Sequence, residues 1–370
     1  MAGELGYWLG FNRAPGIGPK RLRALLDYFG DIATAWEADA DALRGAGLDR
    51  RSIDGLLKTR AELDLDRELE RVARAGARIV TWDDAAYPPR LRHTDSPPFV
   101  LYVLGDTVPE DEWAVAVVGT RKISAYGREA TRFLVDGLAR GGVTVVSGLA
   151  RGIDAQAHLT ALEAGGRTIA VLGCGVDIIY PPEHRKLAEQ IAHRGALLSE
   201  FPLGTRPEAR NFPPRNRIIS GVSLGVLIVE AGLSSGAMIT ANCAAEQGRE
   251  VFAVPGNIFN NGSQGVNRLI QDGAKLVLRA EDILEELNLT MLDQQVEARV
   301  VILEDEAEAQ LLSHLSAEPI HVDDLRQRSG LPIARVSSTL TLMEIRGVVR
   351  QVGGMNYVLA RESGVEYRIE

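Results

Sequence analysis

Two cysteines, Cys174 and Cys243, are all that this chain of 370 residues contains, so no disulfide framework holds it together. Cys174 follows an apolar run and Cys243 lies in a small-residue helical pattern, so both read as buried thiols in a reducing compartment. The six histidines are scattered and no Cys/His spacing suits zinc. No metal and no cofactor is therefore expected. No apolar run approaches the length of a membrane span, and the segment around Glu4 and Arg13 lacks a signal-peptide core. A cytoplasmic protein without membrane contact is expected. Neither G-x-G-x-x-G nor G-x-x-x-x-G-K-[ST] occurs, and a nucleophile elbow is not expected either. Positive charge is also in deficit, 41 basic against 50 acidic side chains. A net −9 argues against nucleic-acid binding over the whole surface but leaves room for one focused basic groove.

Such a focus exists. Residues 206–217 read RPEARNFPPRNR, with Arg206, Arg210, Arg215 and Arg217 around Phe212 and only Glu208 against them. Arginine forks match phosphate oxygens, and an exposed ring can stack on a base. That pairing suits a flexible single-stranded polyanion better than a small metabolite. The same residues also fit an arginine-rich helix start whose charges pair with acids elsewhere in the fold.

The length asks for two or three domains. Residues 1–80, with net charge zero, form a helical domain. Residues 14–29 (APGIGPKRLRALLDYF) and 42–57 (ALRGAGLDRRSIDGLL) form a weak internal repeat, and 61–75 reads as a charged connecting helix. Gly16-Ile17-Gly18 before Pro19 and Lys20 resembles a helix-hairpin-helix turn. Its backbone N–H groups and the following helix N-terminus suit a sequence-blind phosphate contact by Gly16, Gly18 and Lys20. Paired hairpins also serve as helical modules that touch no DNA.

From about residue 98, within a domain at 81–287, strand-like and helix-like segments alternate. AVAVVG (114–119), VTVVSG (143–148), TIAVLG (168–173), GVLIVE (225–230) and EVFAVP (250–255) read as strands. The helical patterns at 126–142 and 154–166 lie between the first three. This predicts an α/β fold with a doubly wound, mostly parallel sheet. Ligands of such sheets bind beyond the carboxyl ends of the strands. The segments there are rich in Gly, Ser, Asn and Arg, and place Arg121 and Arg151 toward the crevice served by the 206–217 patch. Asp154 and Glu230 are the acids at strand ends; both are expected to cap a helix or pair with a groove arginine.

Five blocks then become specific together. VVGTR (117–121), SGLARGID (147–154), FPPRNRIISG (212–221), EAGLSSGAMITA (230–241) and VPG…SQGVNRLIQDGA (254–274) resemble the DNA processing protein A family, also called Smf. The resemblance implies an extended Rossmann-like domain that binds single-stranded DNA, flanked by a helical N-terminal domain and a C-terminal winged helix. It implies a non-enzymatic protein that protects incoming single strands during natural transformation and loads the RecA recombinase onto them. It also implies a homodimer formed through the Rossmann-like domain. Carried over, the groove residues are Arg121, Gly148, Arg151, Phe212, Arg215, Asn216 and Arg217, with Arg206 where a basic residue is common.

Residues 288–300 read as a linker. Three helices at 306–316, 321–330 and 334–347 and a hairpin at 348–360 turning on Gly353-Gly354 predict a winged helix over 301–370. Its third helix carries only Arg335 and Arg346, so a protein contact or structural role is expected rather than sequence-specific DNA reading. The rival reading is a nucleotide-binding or nucleoside-monophosphate-cleaving enzyme on a related fold. The glycine-rich turn at 230–241 places its acid before the glycines and none after, which departs from that enzyme pattern.

Overall fold

The computed structural model describes residues 3–289, 302–303, 306–316, 320–345, 349–351, 354–359 and 368–369. The chain divides into a unit of residues 1–289 and a second of 290–370.

The first unit opens with six helices: α1 (Glu4–Arg13), α2 (Pro19–Phe29), α3 (Ile32–Glu37), α4 (Ala40–Gly45), α5 (Arg50–Glu62) and α6 (Leu65–Arg74). Asp31, Asp39, Asp49 and Asp64 start α3 to α6, each accepting a hydrogen bond from a backbone N–H of the first turn. The turns α1–α2 and α4–α5 are the two glycine hairpins. Trp8, Leu9 and Phe11 of α1 are buried, and Trp8 meets Trp82 and Phe99 at ring distances of 6.1 and 6.3 Å. The helices thus share one apolar core with the edge of the sheet.

That sheet has nine strands: β1 (Ala77–Thr81), β2 (Val100–Gly105), β3 (Ala114–Val118), β4 (Thr144–Ser147), β5 (Thr168–Val171), β6 (Ala196–Ser199), β7 (Gly225–Ile228), β8 (Glu250–Ala253) and β9 (Lys275–Leu276). Their order is β1-β2-β6-β5-β4-β3-β7-β8-β9. Every pairing from β6 to β9 is parallel, while β1–β2 and β2–β6 are antiparallel. The doubly wound expectation holds, and the antiparallel edge extends it. All five residues of β3 are buried, which explains the unbroken apolar run. In register, Ala116 of β3 lies between Val146 of β4 and Val226 of β7.

Helices α7 (Pro89–Arg92), α8 (Ala125–Arg140), α9 (Ile153–Glu163), α10 (Arg185–Arg194), α11 (Phe212–Gly221), α12 (Gly236–Glu246), α13 (Gln264–Gln271) and α14 (Glu281–Glu286) complete the unit. From β3 the chain winds outward through β4, β5 and β6. It then returns to β7 on the other side of β3 and winds the opposite way. The carboxyl ends of β3 and β7 therefore border a topological switch point.

In the second unit, helices Glu306–Leu312, Val322–Ser329 and Ile333–Ile345 pack around Leu311, Leu325, Val336 and Leu340. Strand Asn356–Leu359 pairs antiparallel with Val349–Gln351 and Ile320–His321, forming the wing. Gly353, Arg346 and residues 290–300 of the expected linker lie outside the described residues. Among the described residues no helix is long and apolar enough to cross a membrane.

Candidate nucleic-acid interface

The switch point holds a cleft of about 750 Å³. Three helix starts reach it: Ala150 and Asp154 from the α9 end, Phe212 to Asn216 from α11, and Ser235 to Ala237 from α12. Helix N-termini bring partial positive charge, so the cleft favours an anion. Pro213 and Pro214 carry no N–H, and those of Ile153 and Ala237 are already bonded, so the charge rather than free donors makes the attraction.

Two glycines shape its floor. Gly152 precedes α9 with φ +81°, and a Cβ there would fall 2.2 Å from the Thr120 carbonyl oxygen, so only glycine fits. At Gly148 a Cβ would lie 2.7 Å from Arg215 Nη2 and 2.8 Å from Asp154 Oδ2. The missing side chain lets a guanidinium and a carboxylate close on the backbone from two sides. Asp154 Oδ2 accepts hydrogen bonds from the N–H groups of Gly148 (3.2 Å) and Ala150 (3.3 Å). Arg215 donates to the carbonyls of Gly148 (2.9 Å) and Val171, tying β4 and β5 to α11. Burial pushes the Arg215 guanidinium down to about 10, opposed by Asp154. Burial raises Asp154 in turn, opposed by Arg215.

Above this floor stands Phe212, half-buried, with Tyr180 at a ring distance of 5.8 Å and the Arg121 guanidinium 5.7 Å from the ring centre. Arg121 is exposed, and no carboxylate of the described residues lies within ion-pair distance of it. Glu230 caps the far side: its Oε2 accepts from Ser124 N and Oγ, both at 3.0 Å. Ser124 is itself the N-cap of α8. Asp154 thus holds the loop before α9 beside Arg215, and Glu230 holds the N-cap residue of α8; neither forms an ion pair with a groove arginine among the described residues.

The candidate groove residues separate into groups. Arg121, Phe212, Arg215 and Asn216 line the cleft. Gly148 supports it from beneath. Arg151 and Arg206 adjoin lining residues Ala150 and Pro207 and are exposed. Arg151 pairs with exposed Glu183 at 2.5 Å, a contact that a phosphate can exchange. Arg217 does not line the cleft; it pairs with half-buried Glu200 at 2.5 Å. Arg210 pairs with Glu208 at 2.8 Å. The patch is thus mixed, part anion surface and part internal pairing. The burial of Arg215 has a signal in the sequence: Arg215, Ile218, Ile219 and Val222 follow i, i+3, i+4, i+7 spacing, and all four are buried. Tyr180 was missed as a site residue, although an aromatic in a strand-end loop before two prolines is a stacking candidate.

One motif needs correcting. Residues 232–236, GLSSG, do fit the G-x-S-x-G spacing of a nucleophile elbow. The spacing puts Ser234 in the nucleophile position, but neither it nor Ser235, whose Oγ accepts from Ala237 N at 3.3 Å as the N-cap of α12, bonds a histidine of the described residues.

At the other end of the unit, Gly16, Gly18 and Lys20 line a shallow concavity in the α1–α2 turn. Lys20 is exposed, whereas Arg21 bonds Gly16 O at 2.6 Å and pairs with Asp49 at 2.5 Å.

The sequence model of DNA recombination-mediator protein A matches residues 78–288, and that of the DprA winged helix domain matches 297–355. The chain belongs to the DNA recombination-mediator protein A family. It is 40% identical to Protein Smf of Escherichia coli, over 93% of this chain and 95% of that one. With DNA processing protein DprA of Bacillus subtilis it shares 44% identity, over 60% of this chain and 75% of that one. DNA processing protein A of Streptococcus pneumoniae superposes with a TM-score of 0.68 at 33% identity, covering 76% of this chain and 97% of that one. DNA processing protein A of Helicobacter pylori, whose structure is described for its single-stranded DNA binding mode, gives 0.52 at 32% identity, over 58% of this chain and 97% of that one.

Proposed function

We propose that the switch-point cleft of this family member binds single-stranded DNA, protects it and hands it to the RecA recombinase during natural transformation. The observation that carries the reading is the exposed Arg121 guanidinium over the Phe212 ring, at the mouth of a cleft fed by three helix N-termini. A ring and a free cation together match a base and its phosphate, and neither reads sequence. Arg151, Arg206 and Asn216 extend the anion-facing rim, and Lys20 with the Gly16 and Gly18 turn supplies a weaker phosphate contact. Binding rather than catalysis fits the acids, since Asp154 and Glu230 each spend one carboxylate oxygen on backbone N–H groups. It also fits the uncoupled serines of the GLSSG turn. The test is a salt titration of oligo-dT binding. Arg121→Ala is expected to weaken binding to every sequence and to make the salt slope shallower by roughly 0.7, as one lost phosphate contact does. It is also expected to slow RecA assembly on the strand in proportion. An unchanged slope and unchanged RecA assembly would place the strand elsewhere.

The same proposal includes a homodimer through the Rossmann-like unit. Phe133, Leu276 and Leu278 are 64%, 42% and 67% exposed beside the free edge of β9. Exposed apolar stripes at a sheet edge ask for a partner, and closed two-fold pairs are the commonest assembly. Phe133→Asp is expected to give a monomer by light scattering at micromolar concentration. A wild-type chain that is already monomeric there rules the dimer out.

A further inference from the structure

We infer that the loop Asn257–Gly262 carries a second base-stacking platform, Phe259 with Ile258, which takes up the nucleotides that leave the cleft; this rests on the single-strand reading above. Phe259 is 89% exposed and Ile258 73%, the two most exposed large apolar side chains of the described residues. Two neighbouring apolar residues held in water in this way ask for a binding role.

Their loop is a built one. Asn267 clamps its entry, donating from Nδ2 to Gly256 O and accepting from Gly256 N, both at 3.0 Å. Tyr126 donates to Pro255 O at 2.7 Å. Within the loop, Asn257 Oδ1 accepts from Phe259 N and Asn260 Oδ1 from Gly262 N, both at 2.9 Å. Asn260 N closes the turn on Asn257 O at 2.9 Å. The amides thus fix the backbone that lifts Phe259 outward, so the ring is presented in place before any ligand arrives.

The occupant follows from continuity and charge. Asn261 and Gly262 of this loop line the cleft itself. Phe259 lies two residues before Asn261, within about 7 Å by Cα spacing. A strand filling the cleft therefore meets this ring next. No acidic residue occurs from Val251 to Gln271. Glu230, whose Oε1 lies beneath Gly262, is buried and bonded to Ser124 through Oε2. An aromatic tip flanked by amides, without local negative charge and beside a cleft that favours anions, has the surface of a single-strand stacking platform.

The experiment uses the full chain and a nested series of fluorescent oligo-dT from roughly 4 to roughly 16 nucleotides, the span of typical single-strand site sizes. Wild type, Phe259→Ala and Phe259→Trp are compared, with melting curves and light scattering on each. The two variants are expected to melt and assemble like wild type. Phe259→Ala is expected to match wild type on the shortest oligomers it binds. It should lose at least about five-fold in affinity on longer ones, with an unchanged salt slope. Phe259→Trp is expected to restore the loss. Equal binding by Phe259→Ala at every length overturns the platform and leaves the cleft standing. So does a shift of Phe259→Ala from dimer to monomer, which would give the loop to a second copy. If wild type binds no oligo-dT, the cleft reading itself fails and the platform falls with it.

Discussion

Arg215→Ala is expected to destabilise the chain by about 3–5 kcal/mol, the order expected when a buried charge and the carbonyls it bonds are uncovered together. For a unit of this size that lowers the melting midpoint by roughly 10 °C. The side chain is 4% exposed, bonds the Gly148 and Val171 carbonyls, and is the main opposite charge to buried Asp154. Its loss leaves two backbone acceptors and a carboxylate poorly matched in a dry place. Arg215→Lys is expected to rescue only in part: both carbonyl bonds come from Nη1, which an ammonium can imitate, but the Nε bond to Asn216 and the reach of the guanidinium are lost. Exposed Arg121, by contrast, should change stability by no more than about 0.5 kcal/mol when truncated. Residual DNA binding by Arg215→Ala should keep the wild-type salt slope, since this buried cation spends its Nη1 donors on carbonyls of the cleft floor. A variant that melts with wild type and loses slope would reverse the two roles.

How the sheet could be read from the chain depended on burial. AVAVV, TVVS, TIAV and GVLI are hidden on both faces, so their apolar runs stand out. β6 was not legible: Ala-Leu-Leu-Ser has no β-branched residue and follows directly on α10. β1 and β2 escaped for another reason. β1 carries Arg78 and is only half-buried at its start, and antiparallel pairing onto an otherwise parallel sheet leaves no local mark. At the site, the chemistry of Arg121 and Phe212 was readable, because a cation and a ring keep their meaning wherever they are exposed. The division of labour among the arginines was not. Arg206, Arg215 and Arg217 look alike in a basic run. One is exposed, one is locked under the floor and one is paired to Glu200, and only the helical phase of α11 with the distant partners separates them. Loop 257–262 was not legible as a platform, since exposure of its two apolar residues is a property of the folded backbone.

Phe212 decides the central question. Its ring leans on Tyr180 on one side and carries Arg121 and Arg215 at 5.7 and 5.8 Å from its centre. It is half-buried, so it belongs to the cleft lining rather than to a core. Phe212→Ala should therefore cost roughly 1–3 kcal/mol in oligo-dT affinity, the range of one base–aromatic stack. Because no phosphate contact is lost, the salt slope should stay where it is. The melting midpoint should fall far less than for Arg215→Ala, since no buried charge is uncovered. The direct measurement is a salt titration of oligo-dT binding by wild type and Phe212→Ala, with a melting curve for each. Parallel salt lines displaced by about five-fold or more, from proteins that melt together, are what a base stacked in the switch-point cleft predicts. Coincident salt lines, or a Phe212→Ala protein that melts as early as Arg215→Ala, would contradict it.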